Sequence, residues 1–310
     1  MYKPFKPYKQ KIINEIKKTW QTPYVSVTFN TYPIIQKKVS YPEVDHTDGI
    51  GTKGFYHWKE GTFKAAVIDA LAMNLNDLAI IRAIPYKLSN HITVPLENER
   101  IFKIIQELVR QCLKYKIAIA GGENSFHNNT EGLDISMTVS GFVKNPKPNK
   151  FQIGDILIGL KSSGLHSNGF TAIRKMFGNI KRHEFTTPTA IYLDTILSLS
   201  SKHQINGLMH ITGGAFTKLK DILGKANANI EHPKSLLPQK IFYEIHKKGM
   251  ANKDMYQTFN CGIGFIFSTP KKEVSAILSK TKNATVIGEI TPGTGTVKIK
   301  SAFDGKTITF

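Results

Sequence analysis

Apolar and polar positions divide the chain into two stretches, each mixing helix and strand patterns. In the first, apolar residues recur at helical spacing over 64–81. Residues 98–115 repeat that spacing more plainly, with Ile101, Ile104, Ile105, Leu108, Val109 and Cys112 on one stripe. Asn98 is placed to cap this helix, and Glu97 and Glu99 complement the positive end of its dipole. Residues 117–120 read as a short strand ending in Gly121-Gly122. Residues 133–143 alternate Leu133, Ile135, Met137 and Val139 as a half-buried strand does. A polar segment with two prolines, 144–150, separates the stretches. The second opens with a strand at 155–160, passes through a Ser/Gly/Asn turn and continues as a helix near 170–177. Helices at 189–200 and 240–248 come next, with strands at 262–267 and 284–290, and Pro292-Gly293 punctuates before a last pair. The pattern predicts an α/β (α+β) protein of two domains, 1–146 and 147–310.

Composition narrows the class. At 310 residues, 41% hydrophobic and 21% charged, the chain is long enough for two cores. No run approaches the ~18 apolar residues of a membrane span. The opening MYKPFKPYKQ lacks the apolar core of a secretory signal. Two cysteines, Cys112 and Cys261, make neither a disulfide framework nor a four-ligand zinc site. A cytoplasmic setting is expected. The net charge of +19 would suit a nucleic-acid partner, but only Arg82, Arg100, Arg110, Arg174 and Arg182 of the 42 basic residues are arginine. The lysines are scattered, without a basic helix or interleaved aromatics, which describes a solvated surface. Neither a nucleic acid nor a membrane is the expected partner, whereas a small phosphorylated substrate is favoured by the field.

The sharpest local feature is 45–53, DHTDGIGTK. Gly49, Gly51 and Gly54 match the spacing of a dinucleotide fingerprint, which must open a helix. The next residues, Phe55 to Gly61, are aromatic and broken by glycine, so the fingerprint is rejected. No Walker loop occurs. One reading gives backbone N–H groups of Gly49 and Gly51 to phosphate, charge from Lys53, and a magnesium ion held by Asp48. The other is a tight turn with solvent-facing polar groups. Asn76-Asp77 interrupts an apolar helical run, where a carboxylate needs a partner, a metal or the surface. Gly121-Gly122-Glu123 sits where a strand ends, a usual position for ligand groups, or a cap. Three acids at strand and helix ends suit a magnesium–triphosphate site.

In the second stretch, 162–169 packs Ser162, Ser163, His166, Ser167 and Asn168 between a strand and a helix. It is no nucleophile elbow, because Leu165 stands two before Ser167. His166 is a proton donor or acceptor, or a turn histidine facing water. His210-Ile-Thr-Gly-Gly214 has a similar make-up, and Thr258 to Gly264 (TFNCGIG) leads into an apolar strand where glycine permits close backbone approach.

In this order, the segments resemble the phosphoribosylformylglycinamidine cyclo-ligase family. GDILIGLKSSGLHSNGF, TPTAIYLDTIL, HITGG, the run from LPQKIF to KDMYQTFNCGIG, and VIGEI carry the likeness in the second half; VDHTDGIGTK, NDL and GGE carry it in the first. The resemblance implies a protomer with an N-terminal mixed-sheet domain for ATP binding and dimerisation and a C-terminal α/β sandwich domain for substrate and catalysis. It implies a homodimer, with ATP and formylglycinamidine ribonucleotide in the groove between domains. The implied reaction is ATP-dependent closure to 5-aminoimidazole ribonucleotide in purine biosynthesis. By the same resemblance Asp48, Asp77 and Glu123 hold magnesium, and Asp48, Gly49, Gly51, Thr52, Lys53, Asn76, Gly121 and Gly122 surround ATP. Ser163, Ser167, Thr212, Gly213 and Gly214 hold substrate; His166, Asp77 and Asn168 act in catalysis. The chain departs from the family in 22–43, which has no glycine, in 82–95, in Asn124 to Asn129 after Gly-Gly-Glu, and in Ala215, where a third glycine is usual. A superfamily paralogue phosphorylating another small molecule, and a silent interaction protein, are the alternatives.

Overall fold

The computed structural model describes residues 9–310; all but the last two residues of the opening MYKPFKPYKQ lie outside them. The chain forms two compact units. One holds the residues up to Leu78 with Ala83–Lys144, the other Ala79–Arg82 with Asn145–Phe310.

The first unit runs α1 (Lys9–Lys17), β1 (Val25–Asn30), β2 (Tyr32–Lys37), β3 (Glu43–Gly49), α2 (Gly54–Glu60), α3 (Phe63–Ile80), β4 (Ile84–Val94), α4 (Arg100–Tyr115), β5 (Ala118–Phe126) and β6 (Asp134–Phe142). Strands β3, β6, β4 and β5 form a sheet in that order; β4 and β5 are parallel and the other pairs antiparallel. The predicted α4 stripe is buried throughout, and the N–H of Arg100 donates to the Asn98 side chain at 2.9 Å. Helix α3 is buried on nearly every side, Ala66, Val67, Ala70, Leu71, Ala72, Leu75 and Leu78 all being inaccessible, as an all-round apolar helix requires.

Two readings are corrected here. Strand β5 continues through Gly121-Gly122 instead of ending there, because β4 pairs with it over that whole length: Ser89 with Gly121, Asn90 with Gly122, His91 with Glu123. A Cβ at position 122 would lie 2.1 Å from Asn90 Oδ1, so glycine lets the strands meet. A helix does come after the Asp-Gly turn, although the aromatic, glycine-broken pattern there predicts none. Burial of Tyr56, His57 and Trp58 stabilises α2 where local pattern does not, and Gly61, at φ 66°, ends it by donating to the His57 carbonyl. The hairpin β1–β2 lies in the glycine-free segment, with Val25 and Val27 packed against Trp20, Tyr86, Ala118 and Phe142.

The second unit contains β7 (Asp155–Lys161), α5 (Phe170–Phe177), α6 (Leu193–Lys202), β8 (Leu208–His210), α7 (Lys220–Leu223), β9 (Ala226–Ile230), α8 (Lys240–Lys247), α9 (Asn252–Thr258), β10 (Ile263–Pro270), α10 (Val274–Lys280), β11 (Ala284–Pro292), β12 (Val297–Lys300) and β13 (Thr307–Thr309). Seven strands form one mixed sheet in the order β13-β12-β9-β11-β7-β10-β8, with β12 and β9 parallel. Helix α6 starts at Leu193, not 189, because the preceding residues bind the 162–169 loop instead: Ser163 Oγ donates to Pro188 O at 2.6 Å, and Ser167 and Thr189 hydroxyls lie 3.0 Å apart. No helix among the described residues is long and apolar enough to cross a membrane.

Candidate functional site

Each unit carries its own polar cluster. In the first, β3 delivers the Asp-Gly turn. Alternation along the strand puts His46 and Asp48 on one face and Asp45 and Thr47 on the other. Helix α3 meets the first face. Asn74 Nδ2 donates to the carbonyls of Ala70 (3.0 Å) and Asp48 (3.1 Å), which leaves Asn74 Oδ1 to accept from His46 Nδ1 at 3.1 Å. His46 Nε2 lies 3.2 Å from Asp77 Oδ2. Nδ1 therefore donates. Asp77 above all raises the His46 pKa, against the effect of partial burial and with help from Asn74 and Asp48. Two of the three predicted acids are thus gathered around one histidine ring, and Asp48 Oδ1 also accepts from the Gly49 N–H at 2.7 Å. Asn76, beside them in sequence, is fully buried.

Glu123 does not join this cluster. The register runs Gly49, Ser136, His91, Glu123 across the four strands, so Glu123 lies roughly 14 Å from β3 at ordinary strand spacing. It also shares the face of Gly49 and His91, opposite that of Asp48. Its carboxylate accepts from the Asn124 N–H at 2.9 Å. Gly121 and Gly122 lie at the same far edge.

Lys53 is the second correction. The turn continues as a short 3₁₀ segment, Gly51–Lys53, in which Gly51 and Thr52 are exposed but Lys53 is wholly buried. Its ammonium lies 2.9 and 2.8 Å from the two carboxylate oxygens of Asp69 on α3. His57 Nε2 sits 2.8 Å from the same carboxylate, and His57 Nδ1 2.7 Å from the Thr62 hydroxyl. Burial lowers the pKa of both Lys53 and His57. Burial alone would raise that of Asp69, but the Lys53 charge and the His57 hydrogen bond overcome it and hold the carboxyl at about 2. The lysine charge expected at phosphate is spent inside the unit. Asp69, His57, His46 and Asn74 are not legible as site residues in the sequence. The available signal is an acid, Asp69, inside the otherwise apolar run from Ala65 to Leu71.

In the second unit the predicted segments converge. Asn260 Nδ2 donates to Gly164 O at 2.8 Å, and Ser162 N–H donates to Gly262 O at 3.0 Å, so TFNCGIG pins the 162–169 loop across 96 residues of sequence. A Cβ at Gly264 would lie 2.0 Å from Tyr192 Oη and 2.6 Å from His166 Cε1, which explains the glycine. Asn168 Nδ2 donates to the Thr212 hydroxyl, joining the loop to 210–214. His166 lies beneath the loop, 1% exposed, its ring near those of Tyr192 and His210. Its Nε2 accepts from the Ser163 N–H at 3.2 Å. It is neither a water-facing histidine nor a group on the loop's outer surface. Thr212 is likewise buried, and Ser163, Ser167, Asn168, Gly213 and Gly214 form the accessible lip. Ala215 adopts φ 42°, a conformation that accounts for the glycine usual there.

Comparison with known proteins places both halves in one company. The AIR synthase related protein N-terminal domain matches residues 40–143, and the C-terminal domain of that description matches 152–300. A phosphoribosylformylglycinamidine cyclo-ligase of Saccharolobus solfataricus is 35% identical over 264 residues, 81% of this chain and 79% of its own. One of Methanococcus vannielii is 35% identical over 268 residues, 79% of this chain and 76% of its own. Among solved structures, hydrogenase maturation protein HypE in complex with ATP superposes with TM-score 0.69 at 15% identity, covering 99% of this chain and 94% of that one. Thiamine-monophosphate kinase of Stenotrophomonas maltophilia gives 0.66 at 18% identity, covering 98% and 97%. At such identities these two structures speak to fold alone.

Proposed function

The chain belongs to the phosphoribosylformylglycinamidine cyclo-ligase family, and from that premise we propose that it converts formylglycinamidine ribonucleotide and ATP to 5-aminoimidazole ribonucleotide, ADP and phosphate. The carrying observation is identity of 35% that extends over about four-fifths of both this chain and its relative. ATP, when bound, supplies the phosphoryl group that turns the formyl oxygen into a leaving phosphate, after which a substrate nitrogen closes the ring.

The protein's own part is positioning and charge. Gly51 and Thr52, exposed on a turn held at both ends, present backbone N–H groups to phosphate. Asp48 and Asp77 suit magnesium, which takes one or two carboxylates together with phosphate oxygens. Because Asp69 neutralises Lys53, the triphosphate charge falls to that cation, and the reaction should depend on it strictly. Ser163, Ser167, Asn168 and the Gly213-Gly214 backbone receive the substrate, while His166 and Thr212 hold the lip from beneath. Glu123 belongs to the other sheet face, and no magnesium role is carried over to it. That face, with Asp45, Thr47, His91 and Glu123 exposed, is the surface through which two copies pair in a cytoplasmic homodimer; light scattering on the full chain checks it.

The deciding experiment incubates the protein with formylglycinamidine ribonucleotide, ATP and magnesium and detects the aromatic amine by diazotisation. Amine should form, vanish when magnesium is chelated, and fall at least about 100-fold in Asp48→Asn with the fold intact. A folded protein that binds ATP but yields no amine sinks the proposal.

A further inference from the structure

Helix α3 grips the Asp-Gly turn twice. At the front, the Asn74 side chain binds the Asp48 carbonyl at 3.1 Å. At the back, one turn and a half earlier on the same helix, Asp69 takes the Lys53 ammonium with both oxygens, at 2.9 and 2.8 Å. Between these grips the exposed chain is only Gly51 and Thr52, and a Cβ at Gly51 would meet nothing within 4 Å. From the strand side, Ile50 N–H donates to Ile135 O at 3.0 Å. The turn is held on every side except the one it presents.

The rear grip is costly as a means of stability alone. Lys53, Asp69 and His57 are all fully inaccessible. Taking an ion pair out of water gives up solvation that the pair recovers only with good geometry, and an apolar pair of similar size often folds as well. What an apolar pair lacks is direction. An ammonium held by both oxygens of one carboxylate fixes the end of the turn along one line. His57, bonded to that carboxylate on one side and to Thr62 on the other, keeps the carboxylate from rotating. Outer groups of this kind commonly set the geometry of the groups that touch ligand.

We propose that Asp69 and His57 are positioning residues that, through buried Lys53, hold the Gly49–Lys53 turn in the shape that receives a nucleotide triphosphate. This rests on the proposed ATP binding and assigns Lys53 an anchoring duty in place of phosphate contact. It separates cleanly from the alternative. Were Lys53 a phosphate ligand merely parked on Asp69, freeing it would strengthen ATP binding; as an anchor, freeing it weakens binding.

The test uses the 310-residue chain and two variants: Asp69→Asn, which keeps shape and removes charge, and the double variant Lys53→Met with Asp69→Leu, which removes the pair without stranding a charge; because losing Lys53 weakens ATP binding on either account, the double variant decides through the exchange of the turn should the first fail to fold. Magnesium-ATP binding is measured by calorimetry, and hydrogen exchange follows the peptide spanning 49–53. We expect the double variant to melt within a few degrees of the parent, both variants to bind ATP about tenfold more weakly, and the turn to exchange about tenfold faster. Parent-like ATP binding and exchange in a folded variant, or tighter binding by Asp69→Asn, overturns the proposal. If the parent binds no ATP, the functional reading has failed on its own account. Exchange then decides alone, faster turn exchange upholding the anchor and unchanged exchange overturning it.

Discussion

Acid should destabilise the second unit through one histidine. His232 Nδ1 lies 3.2 Å from the Leu236 carbonyl, which can only accept, so Nδ1 carries a proton. Nε2 is buried without a hydrogen-bond partner among the described residues, and the Phe216 and Tyr256 rings stand 6.4 and 5.6 Å away. Burial brings its pKa from 6.5 to about 4, against the opposing hydrogen bond to the Leu236 carbonyl. The unfolded chain takes up its proton near pH 6.5 and the folded chain only near 4. Stability is therefore complete above 6.5, falls as pH drops between those values, and levels below 4. Between pH 7 and pH 5 the loss from this group works out at about 2 kcal/mol. Urea unfolding of the parent and of His232→Asn, whose amide can still donate to Leu236, measures it. Trp20 and Trp58 are the chain's two tryptophans and both lie in the first unit, so fluorescence follows that unit, and circular dichroism, which reports both units, gives the second unit's transition by difference. The variant's transition should lose about 2 kcal/mol less than the parent's between the two pH values. Equal losses would refute the reasoning.

Asp69 adds a second acid effect, in the first unit. With its carboxyl held at about 2, chiefly by Lys53 against burial, its stabilisation is present above the unfolded value of 3.8 and is lost as pH falls toward 2, on the order of 2 kcal/mol; tryptophan-monitored guanidinium unfolding at pH 4.5 and 2 should show a smaller drop in the Lys53→Met, Asp69→Leu double variant. Gly264→Ala should cost about 1–3 kcal/mol, since the new methyl meets Tyr192 and His166, and because His166 supports the lip it should also raise the KM for the ribonucleotide substrate more than that for ATP in steady-state assays. Ala215→Gly removes a side chain from φ 42° and should raise stability by roughly 0.5 kcal/mol, the relief outweighing glycine's entropy; a lower melting temperature would show the residue is relaxed there.

How far the fold can be read from the sequence depends on where the controlling interactions lie. Helix α4 announces itself because six apolar residues at helical spacing need only one packing face. Strands β6, β7, β10 and β11 do so through alternation or apolar runs bounded by turn residues. Helix α2 does not: its seven residues include three aromatics and end at glycine, so only tertiary burial of Tyr56, His57 and Trp58 makes them helical. The end of β5 escapes a local reading for the same kind of reason. Gly121-Gly122 normally breaks a strand, and the partner that overrides this, Ser89 to His91, is some thirty residues earlier. Local rules fail where a distant segment supplies the missing energy.

The site divides along the same line. In the second unit the motif residues touch one another, Asn168 to Thr212 and Asn260 to Gly164, so motifs in the right order already describe the assembly. In the first unit the motif lists residue types without their directions. Asp48 and Glu123 fall on opposite faces of one sheet, a consequence only of a register fixed across three strand pairs. Lys53 is next to the exposed Thr52 yet points into the core, because Asp69, sixteen residues on, offers a carboxylate that water does not reach. A lysine in a glycine-rich turn suggests phosphate, and an aspartate inside an apolar helix demands a cation. The two observations answer each other. Lys59 and Lys64 are nearer to Asp69 in sequence than Lys53 is, so spacing alone does not choose the partner; the fold does, by burying Lys53 against the Asp69 carboxylate and leaving the other two lysines exposed.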